Sequence, residues 1–480
     1  MLHVPVLRAG RPYRSEERIV LRAVGTREGV AEVSQANPGL IARDLLAAAE
    51  RRRALRSVPL GELLEICRRA AVEFASGELP LDEQAGTSET PEEFVRLQSA
   101  TTGLPRALCR ANMEKIRFVL DEMERVLGGL TRGLDLRALD ETHIEQDGRP
   151  VSYLAQADAL GAILPSNSPG VHALWVPAVA LKMPLVLKPG REEPWTPLRV
   201  AQALIAAGCP REAFGFYPSD HAGATQILLG CERSLFFGDA STVAAWRGEN
   251  RVQLHGPGFS KVVLGADVAD DWRSSLDVME ASIVENGGRS CVNASGVWVP
   301  AHGREIAEAL GERLARIEAL PLDHPQAALA AFPDPAVAHR VSSWIDDLLR
   351  GGGAVDVTAR HRGSGRVVEV GGCTFLLPTL VWCEDPQHPL ARTELLFPFA
   401  AVVEVEPERL LQAIGPTLVA SAITRDTRFR HELATSRNVE RLNLGVLPTC
   451  RVSWDQPHEG NLFEHLYRRR AFQSAPQSAA

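Results

Sequence analysis

The chain has 480 residues, 45% of them hydrophobic and 23% charged, an ordinary globular composition far from the disordered, collagen-like and membrane-spanning extremes. That length exceeds a single hydrophobic core, so two or three structural units are expected. A formal net charge of −8 supplies no general attraction to nucleic acid or to an anionic membrane surface, and a small molecule is the expected partner.

The opening Met1-Leu2-His3-Val4-Pro5-Val6 lacks a basic segment followed by an apolar run, and no stretch reaches the about 18–20 apolar residues of a membrane span. A cytoplasmic location is expected. Two segments, about 39–77 and 91–130, carry apolar residues at helical spacing among Arg and Glu, such as Leu60, Leu63, Leu64, Cys67 and Ala71, and predict amphipathic helices. Pro80 and the Gly/Thr/Ser/Pro run at 86–91 separate them as a loop. From about 151 the pattern changes to short apolar runs ending in Gly or Pro and alternating with helical stretches. The runs are 159–164, 184–188, 213–217 and 234–237, then 261–265, 295–300 and 400–405. This rhythm predicts βαβ units and two α/β lobes. Gly351-Gly352-Gly353 and 359–366 predict surface loops, and the Ser/Ala/Gln tail from about 473 is expected to fray.

Eight cysteines stand singly, with no C-x-x-C pair, so neither a zinc site nor a redox disulfide is indicated. Burial as small hydrophobes is the first reading of most, including Cys67 and Cys231. Cys291 differs. It follows the polar turn Glu285-Asn286-Gly287-Gly288-Arg289-Ser290 and precedes an apolar run. Gly permits tight backbone geometry there, and a thiolate beside backbone N–H groups can add to a carbonyl while the oxyanion is stabilised. Taken alone, a buried cysteine is the commoner reading.

Order along the chain changes this. Leu164-Pro-Ser-Asn-Ser-Pro-Gly170, Val186-Leu-Lys-Pro-Gly190, Phe236-Phe-Gly-Asp-Ala-Ser241, Leu254-His-Gly-Pro-Gly-Phe-Ser260, the Cys291 turn and Thr393-Glu-Leu-Leu-Phe-Pro-Phe399 together resemble the aldehyde dehydrogenase superfamily over roughly 150–450. The resemblance implies an α/β fold with a modified Rossmann nucleotide-binding lobe, an α/β catalytic lobe and a small β bridging element. It assigns 1–140 and 156–252 to nucleotide binding, 253–445 with Cys291 to catalysis, and 141–155 with 446–480 to bridging and oligomerisation as a homodimer or homotetramer.

By the same resemblance Cys291 is the nucleophile that forms a thiohemiacetal and passes hydride to NAD or NADP. Asn167 holds the oxyanion, or is simply a turn residue before Pro169. Lys188 contacts the adenosine ribose, or is a solvated strand-end lysine. Gly238, with Asp239 after it, forms the turn beneath the pyrophosphate, and Ser166 belongs to the same cofactor-facing set. Three positions depart from the common pattern. His255 stands where hydrolytic members carry a glutamate base, and His255-Gly-Pro-Gly258 is closer to the CoA-acylating branch, in which a CoA thiol resolves the acyl-enzyme. His255 is then a weak base, a proton shuttle for CoA, or a structural histidine. Leu395 occupies the usual place of a ribose-binding glutamate and leaves Glu394 one residue early, near the cofactor or on the surface. Arg191 suits a 2′-phosphate, although a one-residue shift would bring Glu192 or Glu193 to the ribose. The leading expectation is an NAD(P)-dependent acyl-CoA reductase with coenzyme A as co-substrate. Its rivals are a hydrolytic aldehyde dehydrogenase with His255 as base, and a non-catalytic relative. In Ser453–Phe463, His458 and Glu459 are too few for a metal site, and the segment predicts a tunnel wall or interface.

Overall fold

The computed structural model describes residues 1–141 and 143–473, so most of the tail expected to fray lies outside the described residues. Two seven-stranded sheets organise the chain. In the first, Val252–His255, Arg233–Phe237, Leu160–Ile163, Leu185–Lys188 and Phe214–Phe216 lie side by side and parallel, and the hairpin Val6–Arg8 and Arg11–Tyr13 adds two antiparallel strands at one edge. In the second, Thr379–Cys383, Phe399–Glu404, Ala294–Val299, Ser260–Leu264, Thr417–Ile423 and Val439–Leu444 are all parallel. The strand Ala354–Asp356 runs antiparallel at one edge. Central strands such as Leu-Gly-Ala-Ile and Phe-Ala-Ala-Val-Val are apolar at nearly every position because helices cover both faces of a parallel sheet. All seven apolar runs picked out from the sequence are strands.

The helical N-terminal segments are each divided in three: Pro38–Leu45, Ala48–Arg56 and Leu60–Ser76, then Pro91–Thr102, Arg106–Asp121 and Met123–Leu130. Pro59 precedes one helix, and Gly103 at φ 73 with Pro105 ends another and starts the next. Here the continuous periodicity read from the sequence is interrupted by residues that cannot extend a helix. Leu63, Cys67, Ala70 and Phe74 point into the main core with Ile116 and Leu120 of the neighbouring helix. The strands of the first 34 residues were not expected; most span only three residues, too short for a visible alternation.

A three-stranded sheet joins Ile144–Gln146, Arg149–Ala155 and Tyr467–Arg470, with Tyr467 opposite Ala155. The segment 359–366 is only partly a surface loop. Arg362 and Arg366 turn inward onto the buried Asp356 carboxylate at 2.6 and 2.9 Å, since a charge removed from water needs a partner. Among the described residues no helix is long and apolar enough to cross a membrane.

Candidate active site

Asn286, Gly287 and Gly288 follow one another with φ of 56, 67 and 68°. A Cβ on Gly288 would lie 2.3 Å from the Pro398 nitrogen, so left-handed geometry and close backbone approach both demand glycine there. Side chains brace the turn on every side. Asn112 donates to the Asn286 oxygen at 2.7 Å, Asn286 donates to the Ser168 hydroxyl at 3.0 Å, and buried Arg289 donates to the Thr102 carbonyl at 2.6 Å. Asn293 accepts from the Ser290 N–H at 2.9 Å and donates to the Glu285 carbonyl at 2.8 Å. Cys291 leaves this turn just before the strand Ala294–Val299. Its carbonyl accepts from the Ser260 hydroxyl at 2.8 Å, and a Cβ on Gly258 would sit 2.2 Å from that oxygen.

The Cys291 side chain is half-buried and lines a cavity of about 1360 Å³ between the carboxyl ends of the first sheet and the amino ends of the second. Such crevices at strand ends are the usual ligand sites of parallel sheets. Ser166, Asn167, Lys188, Arg191, Gly238, Asp239, His255 and Glu394 line the same cavity, so all nine sequence candidates converge on it. Asn167 donates to the Arg289 carbonyl at 2.8 Å, which sets its amide beside the turn of Cys291 and leaves a second N–H. The Ser166 hydroxyl accepts from the Glu192 N–H at 3.2 Å. Lys188 ends its strand half-buried; burial draws its pKa down, against the opposing pull of Glu192 and Asp220. Arg191 is exposed at the rim. Glu193 cannot reach a ligand, because it is wholly buried with Gln98, Thr196 and His172. Asp239 caps the short helix Ala240–Ala244, its Oδ1 accepting from the Ser241 and Thr242 amides at 2.8 and 2.9 Å.

The Cys291 thiol is pushed well above its ordinary range by burial, and the Glu459 and Glu394 carboxylates push the same way. It rests as a thiol, and attack on a carbonyl needs a proton acceptor. His255 is buried, and its Nδ1 lies 2.6 Å from Glu459 Oε2. Its Nε2 is buried with no hydrogen-bond partner among the described residues. Phe237 stacks on its ring at 4.3 Å and 13°. Glu394 accepts from the Phe259 N–H at 2.6 Å, and burial raises its carboxyl to about 8. It therefore points inward beneath the Gly258-Phe259 backbone, so the surface alternative is set aside. Lys261 nearby is lowered to about 7 by burial and by Arg392.

Two residues of the cavity region escaped the sequence reading. Glu459 belongs to a segment read as wall, and only its pairing with a residue 204 positions earlier marks it. Cys450 is the second half-exposed thiol lining the cavity and donates to Glu285 at 2.7 Å; the other six cysteines are buried. Among the described residues no group of three His, Cys, Asp or Glu could hold a metal ion.

The chain is 29% identical over 305 residues to the aminoacetaldehyde dehydrogenase of Pseudomonas aeruginosa, a match covering 58% of this chain and 57% of that protein. It thus spans little more than half the length of that relative. It is 25% identical over 406 residues to the 2-hydroxymuconic semialdehyde dehydrogenase of a Pseudomonas species, covering 76% and 79%. The fold superposes on an NADP-dependent enzyme of E. coli with a TM-score of 0.79 at 18% identity, over 98% of this chain and 97% of the other. Residues 13–415 match the model of the aldehyde dehydrogenase family, and with the cysteine turn and the paired α/β sheets this establishes that the chain belongs to that family.

Proposed function

We propose that the protein is an NAD(P)-dependent aldehyde dehydrogenase that oxidises an aldehyde to a carboxylic acid through a thioester on Cys291, with His255 as the base. The observation that carries this reading is the shared cavity of Cys291 and an imidazole whose Nε2 is buried without a partner among the described residues. Residues on the first sheet suit a dinucleotide. Lys188 at a strand end and the Gly238 turn line the cavity. A Cβ on Gly190 would lie 2.4 Å from the Ser166 hydroxyl and 2.6 Å from the Pro165 carbonyl, so the backbone there forms a close cradle. When bound, the nicotinamide accepts the hydride. In this reading the lobe of the first sheet binds nucleotide and the lobe of the second carries the nucleophile. The Asn167 amide and the Cys291 backbone N–H suit an oxyanion.

The relatives described above are named as dehydrogenases of aldehydes, which favours water over coenzyme A as the acyl acceptor. The Gly256-Pro257-Gly258 stretch supports CoA as a second reading, because it resembles that of the CoA-acylating branch and a thiol acceptor needs less help from a base. One assay separates them. Purified protein is given an aldehyde panel with NAD+ or NADP+, with and without CoA, and products are identified by mass spectrometry. Free acid formed at equal rates in both conditions is expected. Turnover that requires CoA and yields acyl-CoA would replace this reading by the second.

A further inference from the structure

His255 would be an ordinary buried histidine but for its neighbours. A carboxylate only accepts hydrogen bonds, so the 2.6 Å contact to Glu459 Oε2 puts the ring proton on Nδ1. The neutral ring then carries its lone pair on Nε2, the atom that is buried and has no partner among the described residues. Phe237 stacks on the His255 ring at 4.3 Å, and the His458 ring lies nearly parallel to it at 6.3 Å. Burial, then Arg441, hold His458 well below the usual imidazole range, so it stays neutral and is not a competing base that has already taken a proton.

Glu459 is itself forced into place. Its φ of 48° is rarely adopted by residues other than glycine. The segment around it is tied down from three directions. Gln253 donates to the Glu459 carbonyl at 2.5 Å, Arg441 donates to the Pro457 and Ser453 carbonyls, and Asn461 donates to the Leu130 carbonyl at 2.8 Å. A strained residue so held is a common mark of a functional position.

We infer that Glu459 is a positioning residue that fixes His255 in the tautomer and orientation for accepting a proton, so that a carboxylate–imidazole pair does the work of the glutamate base common in this family. The inference rests on the reading of Cys291 and His255 given above. In the step concerned, Nε2 takes a proton from water as its oxygen bonds to the thioester carbonyl carbon. The tetrahedral intermediate collapses with cleavage of the C–S bond, the electron pair leaving on sulfur. The proton held on Nε2 returns to the thiolate, so thioester and water become carboxylic acid and thiol.

The test is a rapid-mixing experiment on the full-length protein with aldehyde and NAD+ or NADP+. In Glu459→Ala the first turnover should still give a burst of about one reduced nicotinamide per Cys291, with steady-state turnover slowed about 10²-fold, the low end for general-base effects. Glu459→Gln keeps an oxygen acceptor for Nδ1–H and should fall between Ala and wild type. A wild-type steady state in Glu459→Ala overturns the inference. So does loss of the burst in Glu459→Gln, which would mean that Glu459 supports the site as a whole. Cys291→Ala should lose the burst, and a wild-type protein that oxidises no aldehyde would overturn the function itself rather than the role of Glu459.

Discussion

Ser260 is the most informative position at which to disturb Cys291 without replacing it. Its hydroxyl donates to the Cys291 carbonyl at 2.8 Å and accepts from the Val419 N–H at 3.2 Å, and the side chain is fully buried. Ser260→Ala removes both bonds and leaves two backbone groups stranded. Each buried unsatisfied group costs about 1–3 kcal/mol, so the variant should lose about 2–6 kcal/mol unless the strands shift to recover a bond. A shift moves Cys291, because Gly258 packs directly on the same carbonyl. Either outcome is visible: a lower denaturant midpoint, or an intact midpoint with kcat/KM reduced about tenfold or more, each factor of ten corresponding to about 1.4 kcal/mol. Both quantities would be measured on one preparation, with iodoacetamide mapping by mass spectrometry to report whether Cys291 remains reachable. A variant equal to wild type in midpoint and turnover would refute the claim that this hydroxyl anchors Cys291.

Gly288→Ala should be worse, since a left-handed alanine costs about 1–2 kcal/mol and its Cβ meets the Pro398 backbone at 2.3 Å; a fall in both thermal midpoint and kcat/KM is expected. Asp356→Asn breaks the buried pair with Arg362 and Arg366 and should cost about 3–5 kcal/mol at neutral pH, read by denaturant unfolding. Burial opposes ionisation of Asp356, but Arg362, Thr358 and Arg366 hold its carboxyl below the usual value, so its stabilisation is present at neutral pH and is lost on acidification through the folded-state pKa. Glu394 has the opposite sign. Burial raises it from 4.5 to about 8, so across that window the folded state keeps a proton that the unfolded state has released, and stability falls as pH rises. The midpoint of Glu394→Gln relative to wild type should therefore climb between about pH 5 and about pH 8, and an unchanged gap would refute the raised pKa.

The seven apolar runs were legible because a strand buried on both faces leaves little choice of residue, as in Ala400-Ala-Val-Val403. The Cys291 turn was legible because its backbone geometry requires glycine at 287 and 288. Residues whose role lies in a partner far along the chain were not. His255 could be placed but its surroundings could not, since its ring nitrogen contacts Glu459, far along the chain. Glu394 could not be told from a surface acid until its carboxylate was seen under the Phe259 amide. The segment 359–366 read as a surface loop for the same reason, the partner of Arg362 and Arg366, Asp356, sitting on an edge strand that local sequence does not announce.

The contact between His255 and Glu459 spans 204 residues of chain, and Cys291 lies between them in sequence. During synthesis the thiol and the imidazole emerge long before the carboxylate that orders the ring. Domains tend to fold in the order in which they emerge, so both sheets can form around Cys291 while the ring of His255 is still free to turn. Pairing of His255 with Glu459 is thereby tied to docking of the segment around Glu459, after the strands on either side of Cys291 have been made.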